Sequence, residues 1–164
     1  MMDADRVLSL LAAFRGEGID VWIAGGWGID ALVGKETRVH GDIDLLHRAE
    51  DESRLTGLLE GLGFRETLDW RPARYVMTGS DGAEIDLHPL EFQEDGSALQ
   101  GSLREGEPFR YPAECFAEGV IGGTRVHCVS VAQQIEFHRG YEPRSVDMHD
   151  MALLRKAFGV ETHF

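Results

Sequence analysis

Asp42 and Asp44 stand one residue apart in V-H-G-D-I-D-L, and Asp86 recurs in an equally alternating stretch, E-I-D-L-H. Side chains on a strand alternate between its two faces, so Asp42 and Asp44 share one face while Ile43 and Leu45 turn to a core. By the same rule Asp86 shares a face with Glu84 and His88, and it reaches the first two acids if the strands are neighbours. Three carboxylates gathered at one point repel one another unless a cation joins them. Hard oxygen donors suit Mg²⁺, which takes one or two carboxylates and completes its octahedron with water and substrate phosphate. Two ions about 3.5–4 Å apart could then hold a triphosphate and lower the pKa of an attacking hydroxyl. Asp42, Asp44 and Asp86 are thus the expected metal ligands, with Asp86 also the expected proton acceptor.

A phosphate site lies just upstream in the sequence. Gly25 and Gly26 follow a short apolar run, and without Cβ atoms their N–H groups can approach an anion at the positive end of the helix that follows. Arg38 and His40 precede the acid strand, where they either meet phosphate and leaving pyrophosphate or sit in a solvated loop. His88 either orients an acceptor and assists proton transfer or is a satisfied strand-end histidine. Trp70 and Arg74 are candidate acceptor contacts on a neighbouring strand, with Tyr75 a weaker one. Tyr141 offers a ring for stacking, and Arg139 a phosphate contact, unless this is simply a helix end capped by Gly140. Gly26-Trp27-Gly28-Ile29-Asp30-Ala31 also fits the dinucleotide pattern G-x-G-x-x-A. That reading requires continued parallel winding and a single ribose-binding acid, and it leaves the second carboxylate idle.

The elements needed to position these groups follow from periodicity. An amphipathic helix is predicted over residues 3–16, a strand over 21–24 ending in the glycine turn, and a helix over 29–33. A strand at 43–46 and a helix at 53–62 come next. Strands at 64–70, 73–78 and 83–90, with a turn at Ser80-Asp81-Gly82, form a meander. Residues 93–112 read as loop, with glycines at 96, 101 and 106. Gly122-Gly123 joins a hairpin of 119–121 and 125–129. Helices are predicted at 131–138 and from a Ser145 cap to Gly159. The fold class is therefore α/β of the α+β kind, a mixed sheet with flanking helices and a C-terminal helical tail. One domain is expected over 1–164, with a catalytic core in 1–92 and the hairpin and final helices in 93–164.

Composition narrows the partners. Sixteen Lys plus Arg against 29 Asp plus Glu give a net charge of −13, which repels a phosphate backbone and excludes nucleic acid as the expected partner. The same surface attracts a small cation. No apolar run approaches the roughly 20 residues needed to span a bilayer, and Asp3 and Asp5 stand where a signal peptide carries basic residues, so a cytoplasmic protein without a membrane partner is expected. Cys115 and Cys128 match no C-x-x-C or zinc spacing and are expected to be buried thiols. The tail is the expected surface if two copies form a homodimer.

Together G-G-W-G-I-D, T-R-x-H-x-D-I-D-L and I-D-L-H-P resemble the antibiotic nucleotidyltransferases of the polymerase-β-like superfamily. Within that group the chain looks most like the small lincosamide nucleotidyltransferases, through W-x-P-x-R at 70–74, D-L-H-P at 86–89, E-D-G-S at 94–97, F-H-R-G-Y at 137–141 and the pair His149-Asp150. The resemblance covers nearly the whole length. It implies a nucleotidyltransferase fold and Mg²⁺-dependent transfer of a nucleoside monophosphate, AMP above all, from ATP or another triphosphate to an antibiotic hydroxyl. By motif it places phosphate at Gly25 and Gly26, and metals at Asp42, Asp44 and Asp86. Gentamicin-type aminoglycoside 2″-nucleotidyltransferases share the front half and are less similar after Asp86, which makes an aminoglycoside the second acceptor class. Many polymerase-β-like enzymes carry Gly-Ser where this chain has Gly25-Gly26, which points away from polymerase activity. A catalytically idle nucleotide-binding or regulatory module is the other rival, and the retention of all three acids argues against it.

Overall fold

The structure is a computed structural model that describes residues 1–102 and 108–164. Helix α1 (Ala4–Gly16) leads into β1 (Val21–Ala24), α2 (Gly25–Val33), β2 (Asp42–Arg48) and α3 (Glu52–Gly61). Strands β3 (Arg65–Trp70), β4 (Arg74–Thr78), β5 (Glu84–Phe92), β6 (Ala98–Gln100) and β7 (Phe109–Tyr111) follow. The chain closes with β8 (Phe116–Ile121), β9 (Thr124–Val129), α4 (Val131–Phe137) and α5 (Ser145–Phe158). The main sheet runs β3-β4-β5-β2-β1-β9-β8, while β6 pairs with the far end of β5 and with β7.

Direction within the sheet decides between the two readings of the glycine turn. β1 and β2 are antiparallel, although they flank a helix. The parallel winding of a dinucleotide fold is therefore absent here, and the G-x-G-x-x-A reading is overturned. The parallel pairs are β2 with β5 and β1 with β9. The expected meander β3-β4-β5 and the hairpin β8-β9 are both antiparallel.

The alternation in β2 and β5 sorts their side chains as expected. Ile43, Leu45, Ile85 and Leu87 are all buried in one core cluster with Val7 and Phe14 of α1 and Leu55 and Leu59 of α3. The opposite face carries Asp42 and Asp44 and then Leu46, which belongs to a second apolar cluster with Trp22, Leu90, Tyr111 and Val129. Burial of the four under-face side chains contributes about 6–12 kcal/mol in sum. Two carboxylates about 4 Å apart repel by about 1–4 kcal/mol between water-like and surface-like dielectrics. The core side of the pair can therefore hold two acids together on its other side.

Three expectations about the elements need correction. The helix after β1 begins at Gly25 rather than Ile29, because Gly25 at φ +60° folds the strand end directly into the first turn. Residues 93–112 are not all loop: β6 and β7 extend the sheet, and strands of three residues are too short to show an alternation. Gly106 in that stretch lies outside the described residues. Ser145 is the first helical residue of α5 rather than its cap, and the Asp147 carboxylate accepts the Arg144 N–H at 2.8 Å instead. Both cysteines are free and buried, as expected, and burial pushes both thiols up to about 12.

Under the sheet, His47 is fully buried. Its Nδ1 lies 2.7 Å from the Arg48 carbonyl and its Nε2 lies 2.9 Å from the Tyr75 hydroxyl. A carbonyl only accepts, so Nδ1 carries the proton and Nε2 accepts from Tyr75. Burial lowers the His47 pKa below its ordinary 6.5. The unfolded chain therefore takes up this proton first as pH falls, and the stability from His47 is complete above about 6.5 and declines below it. Urea midpoints should drop more for the wild type than for His47→Gln between about pH 7.5 and about pH 5.5, and equal drops would contradict the buried neutral ring. Tyr75→Phe should cost about 1 kcal/mol near neutral pH.

Candidate active site

At the end of β1 the register pairs Ala24 with Asp44, so the acid strand runs directly beside the glycine turn. A Cβ on Gly25 would overlap the Asp44 carboxylate, with Cγ at only 2.9 Å, and the residue's φ of +60° disfavours any side chain. A Cβ on Gly26 would overlap the Arg38 guanidinium and stand 2.9 Å from the His40 ring. The two glycines thus let the start of α2 touch both the acids and the bases. No side chain caps that start. The first N–H groups of the nine-residue helix are therefore free to meet an anion.

Across the parallel pair β2–β5, Asp44 stands opposite Asp86 and Asp42 opposite Glu84. Oxygens of Asp44 and Asp86 and a nitrogen of His88 all lie within 4.8 Å of one another. Asp86 Oδ2 accepts from Arg74 at 2.7 Å, while Asp86 Oδ1 is buried without a hydrogen-bond partner. Burial raises the Asp86 pKa; Asp44 adds to the rise, and His88 and Arg74 oppose it. Asp42 meets solvent at the strand start, yet the protein crowded around it, followed by Asp44 and Glu84, raises its pKa as well. Among the described residues Asp42 lies outside the tight group, although it shares the face of Asp44. The orphaned Asp86 oxygen, the facing Asp44 and the oxygen-rich donor set fit a hard divalent cation such as Mg²⁺.

His88 does not present a free lone pair to this group. Tyr111 donates its hydroxyl to Gln100 Oε1 at 2.5 Å, and Gln100 Nε2 donates to the Ala73 carbonyl at 2.8 Å. That fixes the amide, so His88 Nδ1, 3.4 Å from Gln100 Nε2, is the acceptor. The proton then sits on Nε2, 3.6 Å from Asp44 and 3.5 Å from Asp86. His88 Nε2 thus faces both acids without a hydrogen bond to either, and the ring also lines the cavity above them.

The other expected residues divide sharply. Arg38 packs against Gly26 but is gripped by Asp150, with Nε and Nη2 at 3.1 and 3.0 Å from its oxygens, and this raises the Arg38 pKa. His40 is not an open phosphate contact: it is 2% exposed, its Nε2 lies 2.6 Å from Asp30, and its ring lies on Trp27 at 4.5 Å between centroids. Arg74 donates to Asp86 and stacks on Trp70 at 4.6 Å. Trp70 and Tyr141 are 47% and 43% exposed, and neither is among the described residues that line the cavity. Tyr75 is core, bonded to His47.

A cavity of about 820 Å³ opens from Gly25, Asp44 and His88. Leu46, Phe109, Tyr111 and Phe137 supply apolar walls, and Gln100, Gln134, Arg110 and His138 supply polar ones. Gln134 is fully buried and donates to the Gly25 carbonyl at 3.2 Å. Sequence reasoning missed Gln100, Phe109 and Tyr111 because they fall in the stretch read as loop. It also missed Asp30, which accepts from Thr37 N–H at 3.0 Å and Thr37 Oγ1 at 2.5 Å besides meeting His40. Burial alone would raise the Asp30 pKa, but the bonds from His40 and Thr37 prevail and lower it. The last residue of G-G-W-G-I-D and the pair His149-Asp150 were the available signals for Asp30 and Asp150.

Comparison with known proteins agrees with this geometry. The family model for aminoglycoside-2″-adenylyltransferase matches residues 6–154. A lincosamide resistance protein of Staphylococcus haemolyticus is 30% identical over 146 residues, covering 89% of this chain and 90% of that protein. A 2″-aminoglycoside nucleotidyltransferase of Escherichia coli is 38% identical over 139 residues, covering 79% of this chain and 70% of that protein. The crystal structure of the lincosamide antibiotic adenylyltransferase LnuA with lincomycin bound superposes with a TM-score of 0.85 at 29% identity, covering 92% of this chain and 95% of that one.

Asp30→Asn should destabilise the protein by about 2–4 kcal/mol near neutral pH, since charge-assisted bonds to a buried acceptor are lost together. Because the folded Asp30 pKa lies below its ordinary 3.8, this stability is present above that value and disappears as pH falls through the folded one. The gap between wild type and variant in denaturant titrations should therefore close in acid. A constant gap down to about pH 2 would contradict the ionised hub.

Proposed function

The chain belongs to the aminoglycoside-2″-adenylyltransferase family, and we propose accordingly that it transfers AMP from Mg²⁺-bound ATP to a hydroxyl of a small antibiotic, a lincosamide before an aminoglycoside. As a nucleotidyltransferase it needs a triphosphate site, two or more carboxylates and an acceptor chamber side by side. The observation that carries the reading is the facing pair Asp44–Asp86, with one orphaned oxygen, against the open first turn of α2.

The α2 N–H groups and Arg38 flank the phosphates and offset charge on the departing pyrophosphate. Asp44 and Asp86 would hold the divalent ion, with Asp42 on the same face available to a second one. When bound, Mg²⁺ supplies Lewis-acid activation of the phosphate and acidifies the attacking hydroxyl. Arg74 fixes the Asp86 carboxylate through Oδ2, and Asp86 serves as the proton acceptor for the attacking hydroxyl. The acceptor oxygen attacks the α-phosphorus, the bond from that phosphorus to the bridging oxygen breaks, and pyrophosphate leaves. The hydroxyl proton passes to Asp86 and then to water.

The cavity supports the order of acceptors. Among its described lining residues Asp44 is the one carboxylate, Arg110 is a cation, and Phe109, Tyr111 and Phe137 give aromatic area. That wall suits an amphipathic molecule with a single amine, such as a lincosamide, better than a polycation whose several ammonium groups each need an anionic partner. The net charge of −13 draws either cation to the protein. The reaction belongs in the cytoplasm, where the triphosphate is supplied.

Purified protein incubated with Mg²⁺, the four ribonucleoside triphosphates and pooled lincosamides and aminoglycosides should yield one AMP-substituted lincosamide by mass spectrometry. Asp44→Asn and Asp86→Asn should each lower kcat by at least about 100-fold while the protein stays folded. Modification of aminoglycosides alone would reverse the acceptor order. Unchanged turnover in Asp86→Asn would sink the assignment of the base.

A further inference from the structure

Asp150, on α5, is 3% exposed and has no part in the metal or acceptor assignments above. Its two oxygens bind Nε and Nη2 of Arg38 at 3.1 and 3.0 Å, a forked pair that fixes both the position and the plane of the guanidinium. Arg38 lies in the connection from α2 to β2, and its Nη2 occupies the space that a Cβ on Gly26 would need. Next to Asp150, His149 Nε2 lies 3.2 Å from Thr37 Oγ1, the hydroxyl that donates to Asp30. Helix α5 therefore grips the connection at two successive residues, Thr37 and Arg38.

A guanidinium has five N–H bonds. Two of those on Arg38 go to Asp150 and one to the Val39 carbonyl at 3.4 Å. Among the described residues one N–H on each of Nη1 and Nη2 is left, with Nη2 against Gly26 at the uncapped start of α2. A clamp that served only to tie down the tail would need no place against Gly26, and a buried ion pair is a weak source of stability in its own right.

We propose that Asp150 is a positioning residue for the nucleotide: it aims the remaining Arg38 donors at the polyphosphate seated on the Gly25-Gly26 turn, so that the C-terminal helix completes a site built by the N-terminal half. This rests on the nucleotidyl-transfer reading above. Asp150 acts through Arg38, and its loss weakens the grip on polyphosphate without touching the acceptor chamber.

Calorimetric titration with a non-hydrolysable Mg²⁺–ATP analogue tests this in wild type, Asp150→Asn, Arg38→Ala and the double variant, alongside KM for ATP and for the acceptor. Asp150→Asn should weaken analogue binding and raise KM for ATP about tenfold, leave the acceptor KM unchanged, and add nothing in the Arg38→Ala background. Arg38→Lys keeps the charge at a partly exposed position but cannot fork, and it should show the same loss even if Asp150→Asn folds poorly. Full analogue affinity in Asp150→Asn or Arg38→Lys, an undiminished Asp150 effect without Arg38, or an equal rise in acceptor KM would overturn the proposal. A wild type that binds the analogue but modifies no acceptor refutes the transferase reading, while the binding comparison still decides on Asp150. A wild type that binds no analogue overturns both.

Discussion

The parallel register between β2 and β5 is the constraint on which the site depends. It sets Asp44 opposite Asp86, and the same register sets Ile43 against Ile85 and Leu45 against Leu87 on the buried side. A slip of one residue would drive carboxylates into the core and turn isoleucine and leucine outward, so the apolar face fixes the chemistry on the other face. The folding energy of the core thus holds together two like charges that would otherwise separate. The repulsion left between them is what a divalent cation would relieve.

Around that pair the molecule segregates charge by role. Asp42 and Asp86 carry raised pKa values, and Asp86 has in addition a buried oxygen without a hydrogen-bond partner. Asp30 and Asp150, by contrast, are saturated by donors and serve as internal props, the first for His40 and Thr37 and the second for Arg38. In a chain of net charge −13, burial and partnership, rather than the mere presence of an acid, separate the carboxylates proposed to hold the metal from the structural ones.

Much of this was legible in the sequence, for a physical reason. Strand alternation with period two is a strong signal, and it placed Asp42 and Asp44 on one face with Ile43 and Leu45 below, and Asp86 with His88 on one face of another strand, whose pairing with the first only the fold shows. Glycines at positions with no room for a Cβ marked the turn at Gly25 and Gly26. What escaped depends on contacts distant in sequence. Nothing local to Arg38 announces Asp150, 112 residues away, and nothing local to His40 says that it is buried on Trp27 and Asp30. Trp70 and Tyr141 looked like ligand walls because aromatic residues serve both interiors and sites, and in the fold neither is among the described residues lining the cavity. The walls actually present, Phe109 and Tyr111, sit on a three-residue strand that no periodic pattern can reveal.

Anomalous diffraction from crystals grown with Mn²⁺ and a non-hydrolysable ATP analogue addresses the facing carboxylates directly. The account predicts a manganese peak bridging the pair, with one oxygen of Asp44 and one of Asp86 each at about 2.0–2.3 Å and a phosphate oxygen completing the shell beside Gly25. A nucleotide bound with the ion held by only one of the two acids, or with no ion between them, would contradict it.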